Sequence, residues 1–224
     1  MMTNFSAKLN LLRAGVLGAN DGIISIAGVV IGVATASSDV WILFLTGTAA
    51  ILAGAFSMAG GEYVSVSTQK DTEKAATQKE HDLFVQSPER ARKSLEDFYL
   101  NDGHDVVTAR KMVEKAFANS PVKHLVEAKY NIEYEVFSSP WQAAISSFLA
   151  FFAGSIFPML AVMLFPANYR IIGTVVVVIL ALVLTGYTSA KLGDAPTSPA
   201  IKRNVFIGLL TMTATYLIGL VFGM

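Results

Sequence analysis

Two carboxylates sit where carboxylates are expensive. The stretch from Val16 to Ala36 carries one charged residue, Asp21, and the stretch from Val40 to Val66 carries one, Glu62. An ionisable group at membrane depth costs about 2.5–3.5 kcal/mol on insertion scales, so such residues are functional-site candidates that face a bundle interior or a water path. Met58 stands one turn before Glu62, and Gly54 one turn before that, all on one helix face. Asp21 lies eight residues after Arg13, and Met58 eight residues before Val66. On antiparallel helices both then fall about 12 Å below the same surface. Two carboxylates and a thioether can thus converge. Carboxylate oxygens suit hard divalent cations, and a thioether adds a softer donor that Mg²⁺ or Ca²⁺ does not require. The set leans toward a first-row transition metal such as Fe²⁺ or Mn²⁺. Three plainer roles stay open here: Asp21 as a proton relay or structural acceptor, Glu62 reaching water near the headgroups, and Met58 as packing.

The elements that must hold these residues follow from composition. Of 224 residues, 53% are hydrophobic and 15% charged, against roughly 25% charged in soluble domains. That excludes a disordered chain, a nucleic-acid binder and an ordinary soluble enzyme. The 17 basic and 17 acidic residues cancel, so net charge names no partner. The absence of cysteine excludes a disulfide framework, a thiolate metal site and a cysteine nucleophile. A hydrocarbon core needs about 20 apolar residues per helix. Five stretches qualify: Val16–Ala36, Val40–Val66, Trp141–Phe165, Ile171–Ala190 and Val205–Met224. The second is longer than a span needs and should tilt or emerge from the bilayer. Lys8 and Arg13, with no clear cleavage site following, make the first a retained helix rather than a signal peptide.

The fold class expected is an all-α membrane protein: five transmembrane helices with a helical cytoplasmic insert between spans two and three. Its segments are 1–66 (spans one and two), 67–139 (the insert) and 140–224 (spans three to five). The insert holds 13 of the 17 acids, 11 of the 17 bases and all three histidines. Thr68–Gln86 lacks proline and glycine, and Ser87-Pro88 reads as an N-cap with Pro at the first helical position. Asn101-Asp102-Gly103 marks a stop, Val106–Ala118 a further helix, and Ser120-Pro121 opens a last one through Tyr130. With five spans, 16 of the 17 Lys and Arg residues fall on one side and Arg170 alone on the other. By the positive-inside rule the N-terminus and insert are cytoplasmic and the C-terminus outside.

Gly18/Gly22 and Gly28/Gly32 on span one, and Ala50/Gly54 on span two, have the small-x-x-x-small spacing that permits close helix approach and often marks an oligomer face. Gly22, directly after Asp21, is expected to loosen the helix, and Pro158 to kink span three. An intramembrane protease has no support: one aspartate per pair is missing, no histidine lies in a span, and no His-Glu-x-x-His motif exists. The chain is therefore not expected to be an enzyme.

Gly18-Ala19-Asn20-Asp21-Gly22, with Ala55-Phe56-Ser57-Met58-Ala59-Gly60-Gly61-Glu62-Tyr63-Val64-Ser65, resembles the vacuolar iron transporter family, and the likeness extends over the whole five-span layout. The resemblance implies a homodimer whose first helices line a central pore. It implies export of Fe²⁺ or Mn²⁺ from the cytoplasm in exchange for protons, with no resident cofactor. Asp21 and Met58 then correspond to the transport ligands, and Glu62 is carried over with them. The partners implied are membrane lipid, divalent metal, protons and a second copy, with no nucleic acid. Short loops and termini suit a bacterial plasma membrane; in a eukaryote the resemblance points to the vacuole.

In that family the insert carries many glutamates that collect metal. Here the candidates are Glu73, Glu80 and Glu89, with His81 beside Glu80 as a possible substitute ligand. Leu83 stands where an acid would help, Arg90, Arg92 and Lys93 crowd Glu89, and Lys129 follows Glu127. An insert this rich in bases is a poor funnel for cations. The competing reading is a non-transporting membrane scaffold or metal sensor that uses the insert as its interaction module.

Overall fold

The computed structural model describes residues 5–223, as eight helices without a strand among them. They are α1 (Phe5–Ala36), α2 (Val40–Gln86), α3 (Pro88–Asn101), α4 (Val106–Asn119), α5 (Pro121–Tyr130), α6 (Pro140–Leu164), α7 (Arg170–Leu192) and α8 (Thr197–Phe222). Helices α1, α2, α6, α7 and α8 are long and apolar enough to cross a membrane, which makes this a multi-pass membrane protein. Three boundaries differ clearly from the sequence expectation, the first being that α1 begins at Phe5 rather than Val16. The second span and the first insert helix are one helix of 47 residues, because Val66-Ser67-Thr68 offers neither proline nor glycine to interrupt it. The fifth membrane helix, α8, begins at Thr197, behind Pro196, so Lys202 and Arg203 lie on its first turns; Met224 lies outside the described residues.

The chain forms two compact units: the segments up to Ser65 and from Ser139 on, and Val66–Ser138. In the first, α1 is the shared element. Ile26 and Val30 pack with Leu43, Ile51 and Ala55 of α2 and with Phe151, Met159 and Val162 of α6. Ile23, Ala27 and Ile31 pack with Val178, Ala181 and Leu182 of α7 and with Met212 of α8. Two faces of α1 are thereby consumed.

The glycines explain how. A Cβ on Gly18 would lie 2.6 Å from the Ser147 carbonyl oxygen, and one on Gly22 would overlap the Phe151 carbonyl, so both face α6. A Cβ on Gly28 would come within 3.1 Å of Thr211 and one on Gly32 within 3.2 Å of Thr215, both on α8. The small-residue spacing on α1 is thus used inside the chain. Helix α1 runs unbroken through Gly22, whose carbonyl accepts a long 3.4 Å bond from the Ser155 hydroxyl. Helix α6 likewise continues through Pro158, which is buried.

Aromatic rings mark both ends of the spans, as expected where amphipathic rings meet headgroups. Tyr63 and Trp141 pair at 4.9 Å where α2 leaves this unit and α6 enters it, and Trp41 stacks on Phe44 at 5.8 Å at the start of α2. Arg170, buried at the head of α7, donates to the Ser38 carbonyl at 3.3 Å and so ties down the α1–α2 turn.

The insert has its own small core of Ala91, Leu95, Val113, Ala116 and Leu125, flanked by Leu83, Phe84, Tyr99, Phe117 and Ala128. Asp105 caps α4, accepting from the Val107 and Thr108 amides at 3.0 and 3.1 Å and from the Thr108 hydroxyl at 2.6 Å. These bonds hold its carboxyl below the usual range. Ser87 occupies the N-cap position of α3 but its side chain makes no capping bond. Gly103, at φ +97, turns the chain after α3.

Candidate functional site

The third face of α1 is left open, and the sequence puts its polar groups there. Leu17, Asp21, Ser25 and Val29 recur every four residues and line one wall of a cavity of about 370 Å³. The facing wall is α2, through Ala50, Gly54, Ser57, Met58, Gly61, Glu62 and Ser65. Phe151 of α6 forms the floor. Its ring fills the space a Cβ on Gly54 would need, so glycine at 54 is what lets the floor sit between the two helices.

Asp21, Met58 and Glu62 therefore line the same cavity. Asp21 is half-buried, and its Oδ1 accepts a 2.5 Å hydrogen bond from the Ser25 hydroxyl. Glu62 is 8% exposed within this chain, so near the end of its span it lies against the protein rather than on an open surface. Met58 is half-buried, lines the cavity and packs against the α1–α2–α6 core at once. Its packing and donor roles are therefore compatible. Hydroxyls of Ser25, Ser57 and Ser65 complete a lining of oxygens around one thioether. Such a wall can replace the water shell of a divalent cation.

The insert acids are arranged differently. Glu73 accepts from the Gln69 side-chain amide at 2.8 Å, and Glu89 is exposed on the first turn of α3. Glu80 is fully buried; its Oε1 accepts from Lys129 Nζ at 2.7 Å and from the Tyr130 hydroxyl at 2.9 Å. Burial and the neighbouring Glu80 carboxylate push the Tyr130 phenol up. Lys129 also donates to Ser94 at 3.1 Å, so a lysine ammonium supplies the positive charge in this core. Among the described residues no three His, Asp or Glu side chains come together as a metal-holding group. His81 points to Asp82 at 3.7 Å. Leu83 borders the insert core, and Arg92 lies 4.8 Å over the Phe117 ring.

Sequence reasoning missed four participants. Ser25 was discoverable, being one turn from Asp21 on the same face. Phe151 and the Lys129 and Tyr130 partners of Glu80 are long-range pairings, which no local spacing announces.

Residues 12–220 match the VIT family, nearly the whole described chain. The chain belongs to the VIT family. Relatives include "Vacuolar iron transporter homolog 2" of Arabidopsis thaliana, 36% identical over 95% of this chain and 85% of that protein. "Vacuolar iron transporter" of Acanthamoeba castellanii is 34% identical over 93% of this chain and 77% of its own length. "Vacuolar iron transporter homolog 5" of Oryza sativa is 33% identical over 95% and 81% respectively. The VIT match spans both units, so the cavity between α1 and α2 and the insert belong to one family architecture.

Proposed function

We propose that this VIT-family protein is a secondary transporter that moves a divalent transition metal, Fe²⁺ or Mn²⁺, out of the cytoplasm in exchange for protons. The observation that carries the reading is the convergence of Asp21, Met58 and Glu62, from two helices, on one cavity. The names of the relatives support iron as a cargo. Asp21 and Glu62 supply anionic oxygens in place of hydration water, and Met58 adds a soft donor that favours transition metals over Mg²⁺. Protons that take over these carboxylates would release the metal, which links the two fluxes.

A homodimer suits the same face. The Leu17–Asp21–Ser25–Val29 stripe is the side of α1 not consumed by α6, α7 or α8. A second copy laid against it would enclose both cavities in a shared path. In this reading the N-terminus and the insert are cytoplasmic, and the membrane is the plasma membrane of a bacterium or the vacuolar membrane of a eukaryote. The insert acts as a scaffold with little metal-collecting capacity, since Lys129 neutralises Glu80 from within.

Purified protein in liposomes, with a metal-sensitive dye inside and an imposed pH gradient, tests the reading. Fe²⁺ or Mn²⁺ flux is expected from wild type and not from Asp21→Ala, with equal protein reconstituted. Unchanged flux in Asp21→Ala would remove Asp21 from the mechanism. Absence of flux for Fe²⁺, Mn²⁺ and Co²⁺ in wild type, under either gradient, would favour the membrane scaffold or metal sensor, which the pairing of Glu80 with Lys129 also fits.

A further inference from the structure

The hydroxyl of Ser25 donates to a carboxylate; Thr185, which reaches the Asn20 side-chain oxygen at 3.2 Å, also bonds the Leu182 carbonyl of its own helix. Thr35, Ser155, Thr174, Thr188, Thr211 and Thr215 each donate to a carbonyl three or four residues back in their own helix. That is the ordinary habit of a helix serine or threonine in an apolar setting. Ser25 instead donates to the Asp21 side chain, at 2.5 Å, although its own i−4 carbonyl is within one turn. Side chains on a helix lean toward its N-terminus, which tips Ser25 back over Asp21. Both residues line the cavity.

We infer that Ser25 is a positioning residue for the transport carboxylate. The inference rests on the reading of Asp21 as a cargo ligand. A carboxylate at the cavity wall can rotate about two torsions. The Ser25 bond engages one oxygen, fixes the plane of the group and leaves the second oxygen for the cation. While its proton is given to Asp21, the Ser25 oxygen keeps lone pairs that can serve a cation as a weak neutral ligand. Hydrogen bonds of this kind orient ligating carboxylates elsewhere, and losing one typically costs 10–100-fold in metal affinity.

The test is metal flux in liposomes against metal concentration for wild type, Ser25→Ala, Ser25→Thr and Asp21→Asn. Ser25→Ala is expected to raise KM about tenfold with maximal flux within about twofold of wild type, as a lost orienting bond predicts. Ser25→Thr keeps the hydroxyl and is expected to restore KM to within about threefold, on the same reasoning. A merely structural serine would change the amount of folded protein or the maximal flux and leave KM alone. An unchanged KM in Ser25→Ala, with Asp21→Asn inactive, overturns the role of Ser25 and leaves the site standing. Wild-type behaviour of Asp21→Asn overturns the site itself, and the role of Ser25 with it.

Discussion

Alanine at Gly22 and alanine at Gly61 should have opposite effects, although both glycines lie in the two motifs that build the cavity. At Gly22 the new methyl would overlap the Phe151 carbonyl oxygen, and would lie 2.9 Å from its carbon and 3.0 Å from the Ser155 hydroxyl. Ordinary contact begins near 3.4 Å. Helices α1 and α6 must then part by about half an ångström at that carbon and by more at the oxygen. The Ser155 hydroxyl can turn away, but the nearest obstacle is the Phe151 backbone, which cannot. Overpacking of this type costs about 1–3 kcal/mol and at times more, offset by up to about 1 kcal/mol of helix propensity gained by replacing glycine. At Gly61 nothing lies within 4 Å of the added carbon, so only the propensity gain remains.

For a chain of this size, 1 kcal/mol moves the melting midpoint by roughly 2–4 °C. Gly22→Ala should therefore lower the midpoint by about 4–8 °C, taking a net 2 kcal/mol. Gly61→Ala should leave it level or raise it by a few degrees. Intrinsic fluorescence of the two tryptophans in detergent measures both. Transport separates a second effect: the parting of α1 from α6 moves Asp21, the residue before Gly22, so Gly22→Ala should lose flux even below its melting range. A Gly22→Ala protein as stable and as active as wild type would refute the close approach of α1 to α6. A stable Gly61→Ala protein without flux would show that the space beside Gly61 is used by cargo or by a second copy.

Three further outcomes are expected. Met58→Leu conserves volume and should cost less than about 1.5 kcal/mol of stability, while weakening flux of Fe²⁺ and Co²⁺ more than that of Mn²⁺ in the liposome assay, because it removes the soft donor. Lys129→Ala leaves the buried Glu80 with Tyr130 as its remaining donor and should destabilise the insert by about 3 kcal/mol, with Glu80→Leu in the same protein recovering most of it; hydrogen exchange across Pro121–Tyr130 reads this in the full chain. The Asp105 carboxyl is held below its unfolded value by its capping bonds, so its contribution is present above the ordinary carboxylate range and lost as pH falls through it. The gap in melting midpoint between wild type and Asp105→Ala, clear at pH 7, should close on acidification.

The parts legible in the sequence were those with local signatures. Charge-free runs announced five membrane helices, and Pro88, Gly103 and Pro121 announced the insert helices to within a residue or two, because caps and breakers act locally. Asp21 and Glu62 stand out because ionisable groups in apolar runs are costly, and Met58 because its thioether lies one turn from Glu62 on the same face; the structure brings the three to one cavity. The stretch expected to emerge from the bilayer does not stop where its composition turns polar near Val66: α2 runs on through Gln86, because the backbone needs a breaker to end a helix. The fate of Glu80 was illegible. Whether an acid in a helix faces water, a metal or a lysine depends on a residue 49 positions away, and Lys129 carries no mark of that partnership in its own neighbourhood.

The glycine spacing on α1 shows most plainly why periodicity underdetermines function. Gly18, Gly22, Gly28 and Gly32 suggested an oligomer face, yet their missing side chains admit α6 and α8 of the same chain. The consequence is geometric. Because those two faces are closed by close helix contacts, the stripe through Asp21 and Ser25 is the side of α1 left to the cavity. A carboxylate there costs about 2.5–3.5 kcal/mol if lipid reaches it, which the Ser25 bond offsets over most of its range only in part, at about 1.5–3 kcal/mol. Water, cargo or another protein is therefore favoured over lipid in the space between that stripe and α2. In the proposed homodimer a second copy presenting the same stripe would do so economically, since it would cover both sets of polar groups with one contact and give the proposed cargo a path lined twice over by the same residues. Cross-linking between cysteines placed at Leu17 or Val29 should accordingly join two chains, whereas cysteines at Leu184 on the far surface of α7 should not.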